Sequence, residues 1–361
     1  MSILIFILVL GLLIFVHELG HFLVAKKSGI RVDEFAIGFP PRIFSFVKGG
    51  TRYALNLVPF GGYVKIFGET PDGGADDKNA KDSMLNKPKW IQALVLVAGV
   101  VFNVILAWLI FTLLFIRGAD FNSVIVPFVN APAGVRVEYV VEDSIAQKAG
   151  LLEGDMVVSV QVQDKELTTD ATQIFEQLYA EQKFPTTVVV YSSYQIGDQS
   201  RTIKLIPESI DTKFGFSLTD RVFIKTNPFT ASIYSVQATS NMIKLTAVGL
   251  FDFFGKLFTG KANFEEVAGP VGIVGLVGQA AENGLNDVLF LTAVISINLA
   301  VLNLLPFPAL DGGRLVIVAI EAIRRKDLNY KKVALVNVIG FFLLITLMII
   351  LTFHDIKNLF N

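Results

Sequence analysis

Residues 3–25 read ILIFILVLGLLIFVHELGHFLVA, an apolar stretch with one acidic side chain, Glu18. A helix of this length crosses the roughly 30 Å hydrocarbon core of a bilayer. The positive charges follow the stretch, at Lys26, Lys27 and Arg31, whereas a cleaved signal peptide carries them in front. The stretch is therefore predicted to be a retained transmembrane helix.

Three further stretches have the same length and character: 91–116, 287–305 and 333–353. The first and last of them contain no charged residue, and the middle one is followed by a turn rich in proline and glycine, PFPALDGG at 306–313. Across the chain 53% of residues are hydrophobic and 17% are charged, which is too apolar for an ordinary soluble domain. We therefore predict a polytopic α-helical membrane protein with four transmembrane helices.

Lysine and arginine cluster in three short segments: after the first span, before the second, and between the third and fourth. The positive-inside rule places such segments in the cytoplasm, and all three fall on one face of the membrane. Both termini and the long segment 118–286 are then expected outside the cell membrane. The polar stretch 69–89 is expected to be a cytoplasmic loop.

The outer segment begins with a predicted soluble module at 118–212. Short β-rich runs at 135–141, 155–162, 186–194 and 201–207 surround one helical stretch at 169–182, which is typical of a small α+β domain. Its sequence DSIAQKAGLLEGD, at 143–155, resembles the turn of a PDZ domain, where a short helix ends at a glycine before the next strand. We therefore expect one inserted PDZ-like domain.

Residues 213–286 follow this module and are predicted to be amphipathic. A helical apolar stripe at 228–260 suits a helix that lies on the outer interface or packs against the spans. A fifth span at 228–260 is the alternative. The predicted domains are then the N-terminal membrane region 1–117, the PDZ-like module, the amphipathic segment and the C-terminal membrane region 287–361.

The sequence HELGH at 17–21 places two histidines inside the first predicted span. Residues at i and i+4 lie on one face of a helix, so His17 and His21 can bind one metal ion, with Glu18 on the same turn as general base. Counted from the start of the span, the histidines lie roughly 21 and 27 Å along the helix, in the cytoplasmic half of the bilayer. A divalent cation would offset the cost of an ionised Glu18 at that depth.

A catalytic zinc usually has three protein ligands and one open position, so a third ligand is needed. The chain has no cysteine, and its remaining histidine, His354, falls at the far end of the fourth span. Asp311 lies just past the third span, in a broken turn that can fold back to the depth of the histidines. His17, His21 and Asp311 are therefore predicted to hold one zinc ion per chain, although iron or cobalt suits the same ligands. Glu18 is expected to take a proton from water and pass it to the leaving amine.

These motifs resemble those of the site-2 protease family of intramembrane metalloproteases, in its bacterial regulator-of-sigma-E branch. The resemblance covers nearly the whole chain and rests on HELGH, the PDZ-like turn, FGGYV at 60–64, GPVGI at 269–273, and the stretch 298–313. It implies a zinc enzyme of the bacterial inner membrane that cleaves single-span anti-sigma factors or remnant signal peptides. It also implies that another protease first trims the substrate on the outside.

A protease that works in the membrane must hold its substrate extended, because a helical peptide bond is shielded by its own hydrogen bonds. Residues 51–66 are predicted to form a re-entrant β-hairpin with a turn at Gly61 and Gly62, whose edge, with Tyr63, could pair with a substrate strand. Asn298 and Asn303 are candidates for hydrogen bonds to the same backbone. The competing interpretations are a purely structural hairpin and asparagines that only join helices.

A metal transporter or a ligand-gated membrane sensor is the alternative function class, since buried His and Asp side chains also serve such proteins. Transport predicts polar groups through the full depth of the bilayer, whereas here they cluster near one face. The near-equal counts of 31 basic and 32 acidic residues give no basic field that would attract nucleic acid. The sequence therefore favours a metalloprotease whose partners are the lipid bilayer and membrane-protein substrates.

Overall fold

A computed structural model describes residues 2–69, 80–122, 124–128, 135–153, 155–162, 165–167, 186–191, 201–205, 214–219, 221–259 and 269–359. The chain divides into two compact units. The first comprises Met1–Ile116 and Asn227–Asn361, and the second comprises Arg117–Thr226.

Helices form most of the first unit. In chain order the described helices are α1 (Ser2–Lys27), α2 (Lys89–Arg117), α3 (Ile145–Lys148), α4 (Pro228–Phe258), α5 (Pro270–Asn283), α6 (Leu285–Leu304), α7 (Asp311–Arg324) and α8 (Tyr330–Leu359). Of these, α3 belongs to the second unit, and a 3-10 turn, Met84–Asn86, precedes α2. Long apolar runs form helices because a helix satisfies its backbone hydrogen bonds within the segment, which lipid requires.

Four helices in the described part of the chain are long and apolar enough to cross a membrane. They are α1, α2, α6 and, within α8, the stretch Lys331–Lys357. The four predicted spans are thereby confirmed. Large apolar side chains such as Leu8 on α1, Leu109 on α2 and Phe342 on α8 are exposed on the surface of the protein. Exposed side chains of this kind suit lipid as the solvent rather than water.

The helical stripe at 228–260 forms α4, a continuous helix that is not among the four candidate spans of the described chain. It packs along α6 and touches α2 through single side chains. The indole nitrogen of Trp108 donates to the carbonyl of Ser232 over 3.2 Å, and the Thr246 hydroxyl donates to Asn298 Oδ1 over 2.8 Å. The helix is therefore held against two of the spans by side-chain hydrogen bonds.

A sheet formed by β1 (Val32–Lys48) and β2 (Thr51–Ile66) lies beside α1. The strands are joined by Gly49 and Gly50, whose φ angles of 59° and 75° form a tight turn that favours glycine. Residues 34–37 of β1 pair with residues 52–55 on one side and with residues 62–65 on the other. The sheet is therefore wider than a simple hairpin, and the first part of β1 is one of its interior segments.

The predicted hairpin over 51–66, with its turn at Gly61 and Gly62, is wrong. Its two arms do not pair with each other in the described register, because residues 34–37 lie between them. Gly61 and Gly62 lie inside β2, and the tight two-residue turn falls at 49–50 instead. The strand character of β1 escaped prediction because acidic residues at its start and a proline pair in its middle break its apolar alternation.

A hydrophobic core joins α1, the sheet, α2 and α7. Its members are buried side chains from all of these elements: Ala25, Ile30, Val32, Phe35, Val64, Ile66, Met84, Val95, Leu96 and Val318. The ring of Phe22, on α1, packs edge-on against Phe35, with ring centroids 5.3 Å apart. This core holds the sheet against the C-terminal half of α1, where HELGH lies.

In chain order the described strands of the second unit are β3 (Ala119–Asn122), β4 (Val135–Val140), β5 (Met156–Val162), β6 (Lys165–Leu167), β7 (Thr186–Tyr191), β8 (Arg201–Leu205), β9 (Phe216–Thr219) and β10 (Arg221–Ile224). Six of them form one sheet in the order β8-β7-β5-β4-β9, with β6 paired to β5, and β3 pairs separately with β10. The four predicted β-rich runs contain β4, β5, β7 and β8. The predicted helix at 169–182 lies outside the described residues, and so do residues 70–79 of the predicted loop at 69–89.

The turn at 143–155 contains α3, a single helical turn. The hydroxyl of Ser144 accepts a hydrogen bond from the backbone amide of Gln147 and so caps its start. Gly150, with φ of 87°, follows its end, and the carboxylate of Asp155 accepts from the amide of Leu152 over 2.9 Å. A short helix that ends at a glycine before the next strand is therefore present at this place.

Candidate active site

Three predicted ligands, His17, His21 and Asp311, converge at one point. His17 Nε2 lies 3.1 Å from His21 Nε2 and 3.1 Å from Asp311 Oδ2, and His21 Nε2 lies 3.3 Å from the same oxygen. Ligand atoms bound tetrahedrally at about 2.1 Å would be about 3.4 Å apart. The spacing of the three atoms therefore fits a shared metal ion.

Helices α1 and α2 cross at very short range beside the histidines. A Cβ on Gly20 would collide with the backbone carbonyl of Ala98. A Cβ on Gly99 would stand 2.7 Å from His17 Cε1 and 2.8 Å from His17 Nε2, and nearer still to the ring of His21. Glycine is needed at both positions because only a bare α-carbon leaves room for the facing helix and the two rings.

His21 has a defined tautomer. Its Nδ1 lies 2.8 Å from the backbone carbonyl of Val95. A carbonyl only accepts hydrogen bonds, so Nδ1 carries the proton and Nε2 keeps a free lone pair. Hydrogen bonds of this kind orient histidine ligands in metal sites. The donor set of two imidazoles and a carboxylate, with His21 already in the ligating tautomer, therefore fits a divalent metal.

Asp311 is the first residue of α7, and the short connection from α6 folds back to bring it to the histidines. Two glycines permit this fold. A Cβ on Gly312 would strike the carbonyls of Leu304 and Leu305, and Gly313 is crowded by the connecting loop in the same way. The sequence L-D-G-G thus places a carboxylate at the start of a helix, where the dipole favours negative charge.

Glu18 lies on the same turn of α1 as the ligands and is half-buried beside β2. The backbone of Val64 lies beside its carboxylate. A Cβ on Gly62 would lie 3.7 Å from Glu18 Cγ, in ordinary contact. The glutamate is therefore flanked by the metal ligands and by the last part of β2.

The two predicted asparagines fall in different places. Asn303, near the end of α6, has its Nδ2 3.5 Å from His17 Nε2. Asn298 contacts Thr246 on α4 instead. The structure therefore brings Asn303 to the ligands and places Asn298 at a contact between two helices.

The predicted residues of β2 also differ among themselves. Gly62 lies near Glu18, whereas the Tyr63 hydroxyl donates a hydrogen bond to the Glu34 carboxylate over 3.2 Å. Gly61 has a φ of 139°, and the ring of Phe39 fills the space that a Cβ would take. Gly61 is thus required by backbone conformation and by packing, and Gly62 is the member of this group that adjoins the catalytic side of α1.

Sequence reasoning missed two residues of the site, Gly99 and Asn103 on α2. Asn103 is fully buried, and its Nδ2 lies 3.2 Å from His17 Nδ1. The sequence contained a signal for them. Gly99 and Asn103 are four apart and so lie on one face of a helix, and an amide side chain inside a span needs a hydrogen-bond partner. What it did not offer was the identity of the facing helix.

Known proteins resemble this chain over nearly its whole length. Residues 5–347 match the model of Peptidase family M50. A candidate zinc metalloprotease of Agrobacterium fabrum is 34% identical, over 98% of this chain and 95% of its own length. The zinc metalloprotease RasP of Bacillus licheniformis is 30% identical, and the regulator of sigma-W protease RasP of Bacillus subtilis is 28% identical, each over 98% of both chains.

The family match and the geometry agree. The family model covers all four spans except the first residues of the first and the end of the last, and the alignment with the Bacillus licheniformis metalloprotease covers 98% of its length. The resemblance predicted from the motifs is thereby confirmed, zinc is the metal, and peptide-bond hydrolysis is the activity. The chain is a multi-pass bacterial membrane protein and belongs to peptidase family M50, the site-2 protease family of zinc metalloproteases.

Proposed function

We propose that the protein hydrolyses peptide bonds within or near the transmembrane segments of single-span proteins. The observation that carries this proposal is the convergence of His17, His21 and Asp311 beside Glu18, on a helix that can span a membrane. A centre in that position meets substrates that are themselves embedded in the bilayer.

His17, His21 and Asp311 would hold the zinc ion and leave a fourth position open. Zinc, when bound, supplies Lewis-acid chemistry that activates water and polarises the scissile carbonyl. The carboxylate of Glu18 takes a proton from the attacking water and then returns it to the nitrogen of the leaving amine.

We assign substrate binding to the part of β2 next to Glu18. Residues 62–65 pair with β1 on one side, and in the described sheet no strand occupies their other side. An extended substrate can add there as a further strand, because a free strand edge offers backbone hydrogen-bond partners. Tyr63 belongs to the same proposed surface.

Asn303 is proposed to hydrogen-bond the substrate backbone near His17, since its amide already lies at that end of α6. The contact with Thr246 favours a bracing role for Asn298 over the substrate role that was its alternative.

The proposed substrates are anti-sigma factors or remnant signal peptides that another protease has shortened on the outside. The name of the Bacillus subtilis relative describes it as a regulator of sigma-W protease, which supports the first class. The second unit is proposed to be an outer PDZ-like domain, and the positions of lysine and arginine support an active site near the cytoplasmic face of the inner membrane.

The full-length protein and its Glu18→Gln variant, purified in detergent, test this function. We expect both to hold about one zinc ion, because Glu18 is not a ligand. We expect only the wild type to cut a tagged single-span substrate of the anti-sigma type within its membrane segment.

Gly11→Ala, on the same helix, is the matched control, because nothing lies within 4 Å of the added Cβ. It should bind zinc and cut as the wild type does. Zinc binding without cleavage of varied substrates would indicate a sensor or transporter, and cleavage by the Gln variant would remove Glu18 from its role as base.

A further inference from the structure

Each imidazole of the metal centre has a partner on α2. Val95 meets His21, Asn103 meets His17, and Gly99 lies between them against both rings. The three residues are spaced four apart, so they form one stripe along one face of the helix. One face of α2 thus contacts both histidine ligands.

The partner of His17 differs in kind from the partner of His21. Val95 presents a carbonyl, which only accepts, whereas Asn103 presents an amide, which can accept through Oδ1 or donate through Nδ2. The direction of this hydrogen bond decides which nitrogen of His17 carries the proton. If Asn103 donated, His17 would have its proton on Nε2, the atom that faces Asp311 and His21.

A protonated Nε2 cannot bind a metal ion. A half-turn of the amide exchanges its oxygen and nitrogen without changing its shape, and Oδ1 then accepts a hydrogen bond from His17 Nδ1–H. Asn103 is fully buried, and its Oδ1 has no other hydrogen-bond partner among the described residues. In either orientation one polar atom of the amide has no hydrogen-bond partner, so the surroundings of Asn103 do not distinguish the two. The need for a free lone pair on His17 Nε2 favours the orientation in which Oδ1 faces His17.

We propose that Asn103 is a positioning residue of the metal centre, whose side-chain oxygen accepts from His17 Nδ1–H and so aims Nε2 at the metal. The residue is held firmly enough for this task. Ser296 on α6, itself fully buried, donates its hydroxyl to the backbone carbonyl of Asn103 over 2.8 Å. This inference rests on the zinc centre and not on the identity of the substrate.

Two substitutions separate positioning from packing. Asn103→Asp keeps an oxygen that can accept a hydrogen bond but has no amide hydrogens to donate. Asn103→Leu keeps a similar volume and can neither accept nor donate. The full-length proteins, purified with zinc in detergent, are challenged with increasing concentrations of a chelator, and retained zinc is measured. Loss of such a hydrogen bond weakens metal binding by about 10–100-fold in other zinc sites.

We expect Asn103→Leu to lose zinc about 10–100-fold more readily than the wild type, and Asn103→Asp to stay within about 3-fold of it. The control is Thr112→Val on the same helix, which removes a hydroxyl that donates to the Trp108 carbonyl of its own helix and should not change zinc retention. An Asp variant that binds zinc more weakly than the Leu variant would mean that Asn103 donates. Equal retention by the wild type and both variants would mean that it only packs. Either result overturns the proposal.

A second measurement keeps the test decisive if the Leu variant does not fold. Nitrogen-15 spectra of the zinc-loaded wild type, labelled at its three histidines, should place the proton of His17 on Nδ1. A proton on Nε2 would overturn the proposal. Both readouts are made without substrate, so a failure to cleave would count against the proposed function and leave this inference standing.

Discussion

The close crossing of α1 and α2 makes a sharp prediction for Gly99→Ala. The added Cβ would stand 2.7–2.8 Å from two atoms of the His17 ring. Unstrained contacts between such atoms are about 3.5 Å, so the ring or the helix must move by about 0.7 Å. Ligand distances in zinc sites lie within about 0.2 Å of their standard values. The displacement is therefore several times larger than the centre can absorb.

We expect Gly99→Ala to weaken zinc binding at least about 10–100-fold and to reduce cleavage in proportion, while the protein stays folded in detergent. The assay measures zinc retained against a chelator, thermal unfolding of the zinc-free protein, and cleavage of a tagged membrane substrate. Gly11→Ala is the control for replacing glycine in a span, since its Cβ meets nothing within 4 Å. A Gly99→Ala protein that binds zinc and cuts like the wild type would refute the proposed crowding at this crossing.

Three further predictions concern the metal and the framework around it. Removing zinc with a chelator should abolish cleavage, and restoring zinc should recover it; activity that survives full removal of the metal would contradict the metalloprotease assignment. Glu321→Ala should lower the free energy of unfolding by about 1–3 kcal/mol, because the buried Glu321 carboxylate accepts a hydrogen bond from Lys89 over 2.7 Å. An unchanged unfolding midpoint in detergent would argue against a stabilising role for this pair. Asp355→Ala should lower the free energy of unfolding by about 1 kcal/mol, because the Asp355 carboxylate accepts from the Gly272 amide over 2.8 Å and so caps α5. The same melting assay tests this, with the unfolding midpoint of Asp355→Asn as the comparison.

The spans and the metal ligands could be predicted because their signals are local or scarce. Runs of apolar residues reveal a membrane helix without reference to the rest of the chain. His17 and His21 share a face through helical periodicity alone. Asp311 followed by elimination, because few ligating side chains remained at the right depth in a chain without cysteine.

The sheet and the α2 face could not be predicted, because both depend on which distant segments are neighbours. The pairing of residues 34–37 with two separate parts of β2 is a matter of register, and periodicity within one strand does not specify its partner. Gly99 and Asn103 read as ordinary span residues until α1 is known to lie against them. Local patterns thus predicted the proposed ligands, and tertiary contacts were needed to show which residues hold them in place.

The metal centre has a consequence for how the protein is made. His17 and Asp311 are 294 residues apart in the chain. Synthesis proceeds at roughly 5–20 residues per second, so about 15–60 s pass between the emergence of the first ligand and that of the last. During this interval the ribosome-bound chain has Glu18 and both histidines in the bilayer but lacks the carboxylate. Until its C-terminal part is inserted, the nascent chain lacks the proposed third zinc ligand, and we expect it to be inert toward neighbouring membrane proteins.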